Sequence, residues 1–329
     1  MITLDTIRKP VVKDLEAFDE FVTQNFNAEG ELLSDMLRYA LSSRGKGIRP
    51  MIVMLSAAMN APQQRDSVGR RAYLAAMQVE MIHVASLIHD DVIDESDVRR
   101  GKASVNARWQ SHKAVILGDY ILAKNMSIGM SSGQFDIVSH ICESIAVLCE
   151  GEVLQSDCAE KQNMSRQAYL DIIHKKTASL IGISASAGAL AVKASHDKVQ
   201  LMRTFGEAVG MAFQIQDDIL DYTRTANTGK PGNNDLREHK ITLPLLSVLD
   251  KVSPERRAEL LEKLVQCDRD EGCVDYLQQI VENQGGLTFA AQVMQEYLTH
   301  AVEILSQYEP SKYRDALVNL CAYIAERDR

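Results

Sequence analysis

Twice along the chain an apolar helical window ends in the same acidic spacing, D-D-x-x-D. The stretch "HVASLIHDDVIDESD" closes on Asp90, Asp91 and Asp94, and "MAFQIQDDILDYTR" closes on Asp217, Asp218 and Asp221. Residues three, four and seven apart share a helix face. His83, Leu87, Asp90 and Asp94 therefore make one stripe with Asp91 beside it, and Gln214, Asp217 and Asp221 make the matching stripe with Asp218 at its flank. Two carboxylates about 4 Å apart repel by roughly 4 kcal/mol at an effective dielectric of about 20. Solvent satisfies one such cluster at a helix end, but a second copy at the end of a second apolar helix argues for a cation. With the two helices face to face, as many as six carboxylates border one cavity. A hard dication suits such oxygen ligands, and Mg²⁺ commonly bridges carboxylates to substrate phosphates. No His/Cys set has zinc spacing.

The rest of the chain is patterned for helices. Windows of helical spacing lie at about 14–27, 31–43, 50–60, 68–97, 111–129, 134–158, 165–193, 197–222, 240–250, 254–265, 271–282, 287–307 and 310–327. No alternating run reads as a strand. Pro50, Pro231, Pro254 and Pro310 fall at window boundaries, and no linker or low-complexity tract divides the chain. The expectation is an all-α fold in one domain, residues 1–329. The most apolar stretch, "LIGISASAGALAVKA", is too short for a bilayer, which needs about 20 residues, and reads as a buried helix. No transmembrane segment is expected.

Charge narrows the partners. A net charge of -9 with no basic stripe argues against nucleic acid. The opening "MITLDTIRKPVVKDLEAFDE" lacks the apolar core of a signal peptide, which points to a cytoplasmic location. Six cysteines without a C-x-x-C pair read as free thiols. Cations nevertheless gather near the acids in sequence: Arg99, Arg100 and Lys102 in "RRGK"; Arg44, Lys46 and Arg49 in "RGKGIRP"; Lys175 and Lys176 in "HKKTASL"; Lys230 and Lys240 in "TGKPGNNDLREHK". Glycines beside Lys46 and Lys230 let backbone N–H groups approach a phosphate, and arginine offers its oxygens a planar fork. Acids holding dications on one side and cations on the other make a site for polyanions, most simply diphosphates.

These motifs, in the order "GKGIRP" (45–50), "IHVASLIHDDVIDESDVRRGKAS" (82–104), "KTASL" (176–180), "FQIQDDILD" (213–221) and "GKPGNNDLREHKITLP" (229–244), resemble the trans-type (E-type) polyprenyl diphosphate synthases over nearly the whole chain. The resemblance implies a single large helical bundle of the isoprenoid synthase type around a central cavity, usually a homodimer. It implies three Mg²⁺ bridging an allylic diphosphate to Asp90, Asp91, Asp94, Asp217, Asp218 and Asp221. By position Arg99, Lys176, Gln214, Lys230 and Lys240 resemble the allylic-site residues, and Lys46, Arg49, His83 and Arg100 resemble the isopentenyl diphosphate site. Lys176 and Thr177 would lie near the cleaving carbon. The implied reaction is head-to-tail condensation of isopentenyl diphosphate onto an allylic diphosphate.

The chain departs from the family pattern at Arg44, Asn233 and His239, each standing where the family often has glycine. Ser86 and Ala85, four and five residues before Asp90, are both small; members with small residues here resemble makers of long chains, such as those of quinone side chains. The rival readings are a shorter-chain (farnesyl or geranylgeranyl) synthase, a class I terpene cyclase, which would lack the isopentenyl site, and a non-catalytic subunit of a heteromeric synthase, which would leave the acid motifs free to decay.

Overall fold

A computed structural model describes residues 2–42, 45–61, 67–161, 163–223 and 232–327. In chain order its helices are α1 (Leu4–Arg8), α2 (Val12–Asn25), α3 (Glu31–Ser42), α4 (Ile48–Asn60), α5 (Arg70–Ile93), α6 (Val105–Trp109), α7 (Ser111–Ser131), α8 (Phe135–Lys161) and α9 (Arg166–Ile173). There follow α10 (Ser179–Ala191), α11 (His196–Thr223), α12 (Asn234–Arg237), α13 (Leu243–Leu249), α14 (Pro254–Val265), α15 (Glu271–Asn283), α16 (Gly286–Ser306) and α17 (Lys312–Glu326). Serines set several starts: the side chains of Ser165, Ser253 and Ser311 each accept a first-turn N–H, and Pro254 follows Ser253 where a missing N–H costs nothing.

At the centre α10 is buried on almost every face, as its unbroken apolar and small-residue run foretells. It packs against α4, α5 and α11. Small residues make this closeness possible: a Cβ at Gly188 would stand 2.3 Å from the carbonyl of Val53 on α4, and one at Gly206 on α11 would stand 2.6 Å from that of Ile181. A second, smaller apolar cluster joins Tyr222 and Leu236 to α13, α14 and α15.

Three local features depart from the sequence expectation. α5 stops at Ile93, so Asp94 is its C-cap (φ −81°, ψ 2°), its N–H still on the Asp90 carbonyl, and the chain leaves the helix after it. The chain then makes a short antiparallel ribbon, β1 (Val98–Arg99) with β2 (Lys102–Ala103), where no strand was expected. Two-residue strands are too short to show alternation. Arg100 (φ 52°) and Gly101 (φ 74°) form its tip, both left-handed as a two-residue hairpin demands. Lastly, the window 165–193 is broken by a π-helical turn, His174–Ala178, which wedges an extra residue between α9 and α10.

Candidate active site

The last turn of α5 supplies the first acids. Asp91 is buried and accepts from Arg99 Nε at 2.6 Å, because the ribbon folds Arg99 back over the helix end. Asp90 is pushed up to about 6, first by burial and then by the neighbouring Glu152 carboxylate. α11 supplies the second set. Asp218 accepts from Tyr169 Oη at 2.6 Å and from Gln214 Nε2 at 3.0 Å, while Gln214 Oε1 accepts from Thr177 Oγ1 at 2.9 Å. Asp221 Oδ2 accepts the backbone N–H of Asp235 at 2.9 Å, and Asp217 is paired with Arg327. Burial, together with Asp218 and Asp221, drives the Asp235 carboxyl well above its ordinary range; burial and its acidic neighbours do the same to Asp218.

Two lysines tie these groups into one place. Lys176, on the π-helical turn, donates to Glu152 Oε2 and Gln155 Oε1, both at 2.8 Å, and its field also reaches Asp90. Burial opposes the charge of Lys240, but Glu238, Asp94 and Asp235 outweigh it and raise its pKa. Asp94 caps α5 and Asp235 follows α11, so the two acidic motifs border a common space at Lys240.

Behind the first motif lies a pocket lined by Glu80, His83, Asp91, Arg99 and Arg100, two guanidiniums against two carboxylates. Burial, with the charges of Arg49, Arg100 and Arg99, holds His83 well below its ordinary value, so the imidazole is neutral at pH 7. Arg49 is itself lowered to about 10 by burial, against the attraction of Glu80. Gly45 gives the Arg100 guanidinium its place: a Cβ there would stand 2.6 Å from Nη2 and push that side chain aside. Lys46 is exposed and donates to Tyr323 Oη on α17 at 3.4 Å, next to Gly45 in the pocket lining. Lys230 and Arg44 fall outside the described residues.

Among the described residues no three His, Cys, Asp or Glu side chains converge closely enough to hold a metal ion, so the six expected ligands are near one space without being assembled around one point. Their oxygens are turned to Arg99, Tyr169, Gln214, Arg327 and the Asp235 amide instead. The donors still fit a hard dication. They are all carboxylates, and burial first, then the neighbouring acids, raises Asp218 and Asp235, a penalty on their charged forms that a bound dication would relieve.

The two left-handed positions following α11 are filled by the residues that replace glycine. Asn233 (φ 60°) has its amide on the Asp221 carbonyl at 2.8 Å, and His239 (φ 57°) directly precedes Lys240, whose amide donates to the Asp235 carbonyl at 2.7 Å. Sequence reasoning missed Glu80, Glu152, Tyr169, Asp235 and Arg327. Glu80 had a signal, three residues before His83 on one helix. Tyr169 had none, since the π-helical turn spoils helix arithmetic between it and Lys176.

Among the described residues no helix is long and apolar enough to cross a membrane. The polyprenyl synthetase family model matches residues 30–283. The chain is 32% identical to the all-trans-nonaprenyl-diphosphate synthase (geranyl-diphosphate specific) of Rhodobacter capsulatus over 98% of this chain and 97% of that one. It is 29% identical to the octaprenyl diphosphate synthase of Escherichia coli (strain K12) across the full length of both. A crystal structure of a polyprenyl synthase from Caulobacter crescentus CB15, complexed with calcium and isoprenyl diphosphate, superposes with a TM-score of 0.89 at 28% identity, covering 99% of this chain and 98% of the other. Paired acidic helix ends, an arginine-bearing pocket behind one of them and a match running through both place the chain in the polyprenyl synthetase family.

Proposed function

We propose that the protein condenses isopentenyl diphosphate head-to-tail onto an allylic diphosphate and makes a long-chain all-trans polyprenyl diphosphate, destined for a quinone side chain. The observation that carries this reading is the adjacency of two unlike groups of charged residues, one acidic and dication-seeking around Asp90 and Asp218, the other bringing Arg49, Arg99 and Arg100 around neutral His83. A terpene cyclase needs only the first.

Asp90, Asp91, Asp94, Asp217, Asp218 and Asp221 would hold Mg²⁺, three ions with substrate bound. When bound, the metal supplies Lewis-acid stabilisation of the charge that develops on the departing diphosphate. The protein's own cations act on the same charge. Lys176 and Lys240 face it from two sides, Arg99 from the ribbon, and Lys230 by resemblance. Gln214 holds the Thr177 hydroxyl at the π-helical turn, which fixes Thr177 beside the breaking bond. Arg49, Arg100 and Lys46 bind the diphosphate of the nucleophile, and neutral His83 adds a hydrogen bond without adding charge.

Exposed apolar side chains on α7 and α8, with Ile116 60%, Met130 54%, Phe135 59% and Val153 70% exposed, support a homodimer through this face. Each copy is one domain over residues 1–329, working in the cytoplasm. Purified protein given Mg²⁺, isopentenyl diphosphate and an allylic primer should yield long polyprenols on chromatography after phosphatase treatment. Silence of the chain alone, restored only by a second polypeptide, would revive the heteromeric reading; product without isopentenyl diphosphate would revive the cyclase.

A further inference from the structure

A cavity of about 610 Å³ opens at the opposite end of α5 from its aspartates, between α2, the first turns of α5 and the last turns of α7. Arg70 lies 20 residues before Asp90 on one helix, or about 30 Å at 1.5 Å per residue. The cavity is therefore remote from the chemistry described above.

Its lining is chemically one-sided. Arg70, Arg71 and Lys124 face it with Ser127, Ser131 and Gln134, and among the described residues no aspartate or glutamate lines it. Such a concentration is unexpected in a chain of net charge -9. Arg71 is fixed: Nε donates to the Ala191 carbonyl at 3.0 Å, Nη2 to Asp136 Oδ2 at 2.7 Å, and Nη1 to Gln134. One acid thus offsets one of three cations. Arg70, whose guanidinium lies 5.7 Å from the Phe21 ring centroid, and Lys124 have no ion-pair partner among the described residues. The 24-residue α5 adds its own positive end: Gly69 brings no capping side chain, and its carbonyl takes the N–H groups of Ala72 and Tyr73, which leaves those of Arg70 and Arg71 at the helix start.

We infer that this cavity binds a phosphate-bearing anion, either a free phosphate compound or the phosphodiester headgroup of an anionic lipid. Arg70 and Lys124 supply the unspent charge and the serine hydroxyls the remaining donors, while Arg71, its N–H groups taken by Ala191, Leu190, Gln134 and Asp136, braces the wall. The site is independent of the prenyl-transfer reading.

The test separates the two sources and keeps the other anion sites silent. Titration with inorganic diphosphate in EDTA, on a Lys46→Ala/Arg49→Ala background used for this arm alone, removes metal-mediated binding and two of the isopentenyl-site cations; turnover is measured in the otherwise unaltered chain. Flotation with mixed phosphatidylglycerol and phosphatidylcholine vesicles, against phosphatidylcholine alone, tests the lipid. Binding in either arm that weakens tenfold or more in Arg70→Ala/Lys124→Ala, and again in Lys124→Glu, supports the site and names its source. Basal turnover on a short primer should be unchanged in both variants, and their circular dichroism should match the parent. Absence of binding in both arms, or binding that the variants leave intact, overturns the inference.

Discussion

The phenol of Tyr169 donates to Asp218 Oδ2 at 2.6 Å, and both side chains are buried. Burial and the Asp218 charge keep that phenol protonated, so it acts as a fixed donor and aims the remaining oxygen lone pairs of Asp218. Tyr169→Phe should therefore raise the Mg²⁺ concentration for half-maximal turnover by about 10–100-fold, the usual effect of losing an outer partner of a metal ligand. The fold should persist. A Mg²⁺ titration of turnover decides it, and an unchanged midpoint would remove Tyr169 from the positioning role.

Asp90→Ala and Asp217→Ala should each lower kcat by several orders of magnitude, since each deletes an oxygen needed as charge separates. Single-turnover rates with Mg²⁺ in excess give the comparison. Near-normal turnover in either variant contradicts the assignment of that residue.

Arg49→Ala should weaken isopentenyl diphosphate by about 1.5–3 kcal/mol, the worth of a charged hydrogen bond, with little change in the KM of the allylic substrate. Lys46→Ala should act in the same direction. The reverse pattern of KM values would mean that the two sites are exchanged.

Ala85 is wholly buried, one turn or so below Asp90 at about 7 Å. In Ala85→Phe a ring at that depth should stop growth after about three or four isoprene units, with a packing cost of about 1–3 kcal/mol. Ser86, whose hydroxyl turns back to the His83 carbonyl at 3.0 Å, leaves the same path open. Equal product lengths from variant and parent on chromatography mean that the growing chain does not pass Ala85.

The metal-free protein should lose stability as pH rises. The folded pKa of Asp90 is about 6 against an ordinary 3.8, and Asp218 and Asp235 are raised as well. The native chain therefore holds protons that the unfolded chain has released, so the stabilisation is complete below about pH 4 and is lost as pH climbs through about 6 and beyond. Tm in EDTA should fall by a few degrees between pH 5 and about 8, on the order expected for 1–2 kcal/mol in a chain of this size. A flat Tm over that range would show that the carboxylates are not strained in the apo fold.

Much of this molecule is written in periodicity. The apolar run of α10, the acid-tipped ends of α5 and α11 and the serine starts of α9, α14 and α17 follow from local chemistry alone, and all are legible. What escaped depends on geometry between distant segments. Arg327 meets Asp217 from 110 residues away. The ribbon that swings Arg99 onto Asp91 has strands of two residues, below any detectable pattern. The π-helical turn at His174–Ala178 shifts the register of one window, which hid the partnership of Tyr169 with the second acidic motif.

Asn233 and His239 carry a consequence for folding. A left-handed non-glycine residue carries roughly 1–2 kcal/mol of steric cost, which asparagine eases through its short side chain. In return it samples fewer conformations than glycine in the unfolded chain, so less freedom is lost when the segment is ordered. The stretch that carries Asp235 and Lys240 thus sets backbone strain in the native state against a smaller entropy loss in reaching it.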